Sequence, residues 1–329
     1  MTTLMIYGAA GYTGRMVCAN ARAAGTEFVI GGRPQDEAKF ATLASALGVQ
    51  YRLFAIDDLA GARAALTDTA ALLNCAGPFL RTAEPLMKAC ISAGAHYLDI
   101  AAELDSYRLA EILDKDASAA GVMLLPGSGG SVAMLGSLAS HAAKRVVAPS
   151  SLCIALHVAG AFSRGSAISA SENLAVQCLR RTDGILVERS ADEAREFDFG
   201  NGPAISFPVT LPDVMTIWHT TQIPNIETFV HVSEGAFPDG AIAAMADGPT
   251  LEQRESNRYR ASVEVTGQDG KTFRSILDTV NGYTFTALAA AEAARRVLAG
   301  ETCPGFQTPV GLFGDGFAET IADTSITDL

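Results

Sequence analysis

Positive charge is scarce in this sequence: 24 Lys and Arg stand against 36 Asp and Glu, a formal net charge of −12. Such a surface repels nucleic acid and anionic membranes at long range, and no basic run stands out against it. No nucleic-acid partner is therefore expected, and an anionic cofactor has to rely on a local cationic spot. Long apolar runs are also missing. None reaches the roughly 20 residues that span a bilayer, which excludes membrane insertion. The N-terminus lacks the basic segment, apolar stretch and small-residue cleavage site of a signal peptide, so a cytoplasmic protein is expected. The cysteines Cys18, Cys75, Cys90, Cys153, Cys178 and Cys303 are scattered, with no Cys-x-x-Cys pair and no His/Cys cluster at ligand spacing. They read as free thiols, and no metal site is expected. A nucleophile elbow, a metal-binding helix and a Walker-type loop are absent too. Gly270-Lys-Thr272 lacks the upstream glycine of a phosphate loop and reads as a turn.

What is present begins at once. Leu4 to Tyr7 is apolar and runs into Gly8, Gly11 and Gly14, with Tyr12 and Thr13 between the last two, before a helix-like stretch. Strand, tight turn and helix in that order suit a dinucleotide. Gly8 allows the turn, Gly11 admits the pyrophosphate, and Gly14 lets the helix pack on the strand. The helix N-terminus offers N–H groups and a positive dipole end to the phosphates. Tyr12 either stands over the cofactor or packs. After a helix stopped by Gly25, the strand Glu27–Ile30 ends at Gly31-Gly32-Arg33. NAD-binding chains place an acidic residue here for the ribose 2′-OH. Two glycines that leave room for a phosphate, and an arginine to grip it, favour NADP(H).

Asp36 is expected to cap the next helix, and Asp57 either lies near the adenine or, the favoured reading, caps the helix after the third strand, Val49–Ile56. Ala70–Cys75 reads as a strand buried on both faces. It leads into Ala76-Gly77-Pro78-Phe79, at the crevice where ligands bind in a doubly wound sheet. Asn74, Ala76, Gly77 and Pro78 form the second cofactor segment, walling the nicotinamide half. A helix over Thr82–Ala93, a strand over His96–Ile100, a helix over Leu104–Ala120 and a strand over Val122–Leu125 complete six alternating strands. The pattern is α/β, a Rossmann-type parallel sheet with helices on both faces.

These residues resemble the saccharopine dehydrogenase-like oxidoreductases, which include saccharopine reductases and trans-acting enoyl reductases. The marks are Gly8-Ala-Ala-Gly-Tyr-Thr-Gly14, Gly31-Gly32-Arg33, Asn74-Cys-Ala-Gly-Pro-Phe79, His96-Tyr97-Leu98-Asp99 with Glu103, Ser163-Arg-Gly-Ser166 and Asn281-Gly-Tyr-Thr284. Ala102 replaces the family's glycine before Glu103, and Gly127-Ser-Gly-Gly130 stands where many relatives carry Gly-Phe-Asp-Ser. The resemblance implies NADP(H) bound by a first domain, residues 1–130, with 281–329 packing back on it. It implies an α+β substrate and dimerisation domain with a mixed sheet over 131–280, and a homodimer formed through that domain.

In the second half, Ser131–Val146 reads as a helix, Leu152–Val158 as a strand, and Ser171 as the cap or interior of a helix running to Leu179. Further strands are expected at Ile185–Glu188, Ile205–Val209 and Thr228–Ser233. A hairpin is expected from Arg258–Thr266 and Lys271–Val280, and a helix over Phe285–Leu298. Ser163 and Arg164 either hold a polar substrate group or simply open a helix. With Phe79, Asp213 and Trp218 they are the substrate-pocket candidates. Hydride transfer needs orientation, a dry pocket and sometimes a proton donor. Glu103, just past a strand's carboxyl end, is the donor candidate and equally a structural carboxylate, so no catalytic residue is assigned. The function expected is an NADP(H)-dependent oxidoreductase acting on a C=O, C=N or C=C bond of a small, partly apolar substrate. The alternative is a non-catalytic NADP(H)-binding sensor or a subunit acting in trans.

Overall fold

Strands made wholly of apolar residues need cover on both faces, and the first part of the chain supplies it with helices. The computed structural model describes residues 3–173, 177–233 and 241–329. The chain divides into two compact units, residues 1–130 with 286–307, and residues 131–285 with 308–329.

The first unit contains β1 (Thr3–Tyr7), α1 (Tyr12–Ala23), β2 (Phe28–Gly32), α2 (Glu37–Leu47), β3 (Tyr51–Leu53), α3 (Leu59–Ala65), β4 (Thr69–Asn74) and α4 (Phe79–Ala93). It continues with β5 (His96–Asp99), α5 (Leu104–Ile112), α6 (Asp114–Ala119) and β6 (Met123–Leu125). All strands are parallel. Their order brings β4 and β2 to either side of β1, so the sheet reverses direction of winding between β1 and β4. Leu4, Met5, Ile6, Leu72, Leu73, Tyr97 and Leu98 have no or almost no exposed surface. A seventh strand, named below, joins the edge from the far end of the chain.

Three local expectations are corrected. Asp36 precedes α2 but makes no capping hydrogen bond; it pairs with Arg33 and Lys39 instead. Asp58, not Asp57, caps α3 by accepting from Gly61 N at 3.0 Å. The single helix over Leu104–Ala120 is two, meeting at Leu113.

The second unit is built on α7 (Ser131–Ala143), β7 (Pro149–Val158), α8 (Arg164–Asn173), β8 (Leu179–Thr182), β9 (Ile185–Glu188), β10 (Arg195–Asp198) and β11 (Pro203–Pro208). Then come α9 (Asp213–Thr221), β12 (Asn225–Val232), α10 (Leu251–Glu255), β13 (Tyr259–Gly267), β14 (Thr272–Thr279) and α11 (Gly282–Leu298), whose later residues cluster with the first unit. Its sheet is mixed: β12 runs parallel to β7, and β13 and β14 form the expected antiparallel hairpin. One face carries Leu152, Ile154, Ala261, Val263 and Val265, all buried, and α7 packs on β7, β13 and β14. On β7 and β12 the other face carries Cys153 and Glu227, then Ala155 and Phe229. Phe197 and Phe199 cover the latter pair to make a small second core. The helix expected to reach Leu179 ends at Asn173, and Leu179 opens β8; residues 174–176 lie outside the described residues.

The C-terminal segment holds β15 (Gly305–Phe306), α12 (Pro309–Phe313) and β16 (Ser325–Asp328). β15 is the seventh strand of the first sheet, beside β6. Asp114 Oδ1 accepts from Phe306 N at 2.8 Å, and a Cβ at Gly305 would fall 2.4 Å from that same oxygen. Residues 308–329 cluster with the second unit, where β16 pairs with β14. The segment 281–329, expected to pack on the first domain as a whole, is thus divided between the two.

Candidate functional site

Three loops leave the carboxyl ends of β1, β2 and β4 and converge in the first unit. Gly8 N donates to Gly31 O at 2.8 Å, and Cys75 N donates to Tyr7 O at 2.8 Å. Gly8 has φ +79°, and a Cβ there would lie 2.7–2.9 Å from atoms of Ala76. Its absence lets the first and third loops touch. At Gly14 a Cβ would lie 2.4 Å from Gly8 O, so this glycine seats α1 on the turn. Helix α1, twelve residues long, starts from Gly11 with no capping side chain and no acidic residue in its first turn. A helix N-terminus left uncapped by side chains and facing a glycine turn is suited to an anion. Tyr12 and Thr13, half-buried, open the helix.

Asn74 reaches its loop from beneath. It is fully buried, its amide donates to Thr82 Oγ1 at 3.1 Å and Tyr97 OH at 3.2 Å, and its oxygen accepts from Ala76 N at 2.9 Å. Thr82 Oγ1 donates to Ala76 O at 2.7 Å. Both backbone groups of Ala76 are thereby tied down, and Asn74 shapes Ala76-Gly77-Pro78 rather than exposing an amide to a ligand. Phe79 is buried at the start of α4, its ring 3.7 Å from where a Gly77 Cβ would be.

The same network continues into β5 and the loop after β6. Tyr97 OH donates to Asp99 Oδ2 at 2.9 Å, while Asp99 Oδ1 accepts from Ala101 N and Gly127 N at 2.9 and 2.8 Å. Ser128 donates twice to Asp99 O. Burial pushes the Asp99 carboxyl up to about 6, against the lowering effect of these hydrogen bonds. Asn74, Tyr97 and Asp99 thus lock the ends of β4, β5 and β6 together. Tyr97→Phe leaves one donor of Asn74 and one oxygen of Asp99 a partner short. Denaturant unfolding should record a loss of about 1–3 kcal/mol; an unchanged midpoint would show that the network carries no stability.

Glu103 is almost fully buried before α5, and its Oε2 accepts from Ala102 N at 3.0 Å. Its charge contributes to the raised Asp99 pKa.

Arg33 is exposed. Its guanidinium makes hydrogen bonds of 3.0 and 2.7 Å to Asp36 Oδ2, and Lys39 Nζ lies 3.0 Å from Asp36 Oδ1. The glycines before it serve packing: a Cβ at Gly32 would strike the Phe40 ring at 2.1 Å, and one at Gly31 would crowd Met5 and Tyr7 at 3.1 Å. They are required by the packing of α2 and β1.

The remaining candidates lie in the second unit, each engaged locally. Ser163 Oγ accepts from Ser166 N at 3.1 Å, the bond expected of a helix cap, and Ser163 N donates to Tyr283 OH at 2.6 Å. Arg164 is ion-paired with Asp247. Trp218 lies under the Arg181 guanidinium at 4.9 Å. Asp213 has no exposed surface, so as it stands it lines no pocket. Among the described residues neither of its oxygens has a hydrogen-bond partner, and burial pushes its carboxyl up to about 7. Sequence reasoning missed Asp36 and Lys39 as partners of Arg33, and gave Tyr97 and Asp99 no role. Spacing held a signal for the first pair, since positions 33, 36 and 39 recur every three residues; the second stood within the His96-Tyr97-Leu98-Asp99 segment, but its partners Asn74 and Gly127 come from other elements.

Among the described residues, no group of three or more His, Cys, Asp or Glu is placed to hold a metal ion, and no helix is long and apolar enough to cross a membrane. Residues 4–125 match the family profile of the saccharopine dehydrogenase NADP binding domain. No curated protein sequence matches the chain. Among solved structures, the chain is similar to apo histidine-tagged saccharopine dehydrogenase (L-Glu forming) from Saccharomyces cerevisiae. The TM-score is 0.67 at 12% identity, over 99% of this chain and 100% of that one. A probable dehydrogenase from Thermotoga maritima gives 0.49 at 12% identity over 97% and 95%. The WlbA dehydrogenase from Thermus thermophilus, in complex with NAD and alpha-ketoglutarate, gives 0.47 at 14% over 97% and 92%. At such identities the yeast match shows a common fold.

Proposed function

We propose that this chain, whose residues 4–125 are a saccharopine dehydrogenase-type NADP binding domain, is an NADP(H)-dependent oxidoreductase. It would transfer hydride to or from a C=O, C=N or C=C bond of a small, partly apolar substrate. The observation that carries this is the N-terminus of α1, uncapped by any side chain, behind a glycine turn that touches the Ala76–Pro78 loop at the switch point of the sheet. In this reading the turn Gly8–Gly14 holds the pyrophosphate, with Tyr12 and Thr13 at the helix start. Arg33 grips the 2′-phosphate, and Ala76, Gly77 and Pro78 wall the nicotinamide, braced by Asn74. The bound nucleotide supplies the hydride; the protein fixes its position and excludes water. The second unit would carry the substrate groups and a homodimer contact, in a cytoplasmic protein. NADPH oxidation followed at 340 nm against carbonyl, imine and enoyl compounds tests the reading.

The burial of Glu103 and Asp99, the carboxylates at the carboxyl end of β5, favours a second reading, a sensor that binds NADP(H) without turnover. Tight binding with no oxidation of NADPH by any compound would select it.

Arg33→Asp replaces a phosphate clamp with a repelling charge. NADPH affinity should fall by about 30- to 100-fold while NADH affinity changes by less than about threefold, since a charge-assisted contact is worth roughly 1.5–3 kcal/mol. Equal losses for both nucleotides, measured by fluorescence titration, would overturn the assignment.

A further inference from the structure

We propose that Asp36 is an internal stand-in for the ribose 2′-phosphate: its carboxylate holds Arg33 and Lys39 as a two-cation clamp, and NADP(H) binds by displacing it. This rests on the NADP(H) reading above and adds two specificity-determining residues to it.

The first observation is the arrangement of charge. One anionic group accepts two hydrogen bonds from Arg33 and one from Lys39, at 2.7–3.0 Å. The Asp36 side chain is 18% exposed, whereas those of Arg33 and Lys39 are 60% and 73% exposed. The anion is thus the covered member, and both cations remain open to an incoming phosphate. A phosphate monoester brings close to two negative charges and three acceptor oxygens, and so outcompetes a single carboxylate for the same donors.

The second observation is the helix start itself. A 3-10 turn over Pro34–Asp36 runs straight into the eleven-residue α2, so Asp36 lies in the first turn of a continuous helix that begins after the extended Arg33. A carboxylate in that turn interacts favourably with the helix dipole whether or not it holds Arg33 and Lys39. Released from the cations it keeps that interaction, which offsets part of the cost of displacing it.

The third observation is independent of both. The Tyr7 hydroxyl is buried, with Tyr7 1% exposed, and no hydrogen-bond partner for it exists among the described residues. Tyr7 pairs with Gly31, two residues before Arg33, and its ring lies 3.1 Å from where a Gly31 Cβ would be, so it stands at the strand end that carries the clamp. A buried hydroxyl left without a partner is exceptional in a folded protein. Here it is a third polar group of a site whose remaining acceptor arrives with the ligand.

Fluorescence titration of the full-length chain with NADPH and with NADH, for wild type, Asp36→Asn, Lys39→Gln and Tyr7→Phe, tests this. Circular dichroism verifies that each variant folds. Asp36→Asn should bind NADPH about three- to tenfold more tightly, since a competing carboxylate is removed, and NADH as before. Lys39→Gln should lose about two- to fivefold for NADPH alone. Tyr7→Phe should lose NADPH affinity and not NADH affinity. If Asp36→Asn binds NADPH equally or more weakly, the carboxylate merely orients Arg33 and the inference falls. If it loses NADH affinity, Asp36 is a ribose hydroxyl acceptor and the inference falls. If wild type itself shows no preference for NADPH over NADH, the underlying NADP(H) reading fails first.

Discussion

Gly8→Ala is expected to bind neither NADPH nor NADH, with a loss of more than about a hundredfold, and to unfold at markedly lower denaturant. Two costs act together. At φ +79° an L-residue pays about 1–2 kcal/mol for the left-handed conformation. The added Cβ then meets Ala76 N, Cβ and Cα at 2.7, 2.8 and 2.9 Å, where a well-packed site allows no such approach. Ala76 cannot retreat cheaply, because its N–H is held by Asn74 and its carbonyl by Thr82. Either the turn or the second loop has to move, and each belongs to the proposed nucleotide site. Gly11→Ala is the comparison. Its Cβ would lie 3.3 Å from Gly8 O, close but tolerable, so that protein should fold and lose affinity only if the pyrophosphate passes over Gly11. Calorimetric titration with both nucleotides checks the pair. Wild-type affinity in Gly8→Ala would remove the glycine turn from the site.

The glycine turn was legible because its demands are local. A positive φ and a missing Cβ are written into residue type, and an apolar run before the glycines fixes what they follow. Gly31 and Gly32 were visible for the same reason but carried a second meaning, since Phe40, Tyr7 and Met5 occupy the volume their side chains would fill. That meaning required knowing how α2 packs. The Asn74–Tyr97–Asp99 network was not legible, because it joins residues far apart in sequence through side-chain groups whose neighbours only the sheet order supplies. Short strands escaped for a different reason. Leu-Arg-Arg-Thr in β8 and Arg-Glu-Phe-Asp in β10 are too brief and too charged to show alternation. β15 has two residues and therefore no period at all. Asp213 was noticed as a pocket candidate, yet its burial could not be inferred from a Leu-Pro-Asp sequence that ordinarily begins an exposed helix.

That burial leads to the second large effect: Asp213→Asn should stabilise the protein strongly at pH 8 and hardly at all near pH 4. The carboxyl has no exposed surface and its pKa rises from 3.8 to about 7, with desolvation the main cause. A folded-state pKa above the unfolded value means that the native protein binds the proton more tightly. Below about 4 the group is neutral in both states and contributes no penalty. As pH climbs from about 4 to 7 the unfolded chain ionises freely while the native one resists, so stability is lost across that window and stays low above it. The full difference is on the order of 4 kcal/mol, a shift on the order of 10 °C in melting temperature for a unit of this size. Asparagine keeps the shape and removes the charge, so the variant's profile should be flat where the wild type declines. Asp99, raised to about 6, bends both profiles in the same direction. Subtracting one from the other at each pH cancels its share and leaves Asp213 alone. Parallel profiles from pH 4 to 8 would mean that the Asp213 carboxylate ionises without hindrance, and that its surroundings supply the polarity its burial denies it.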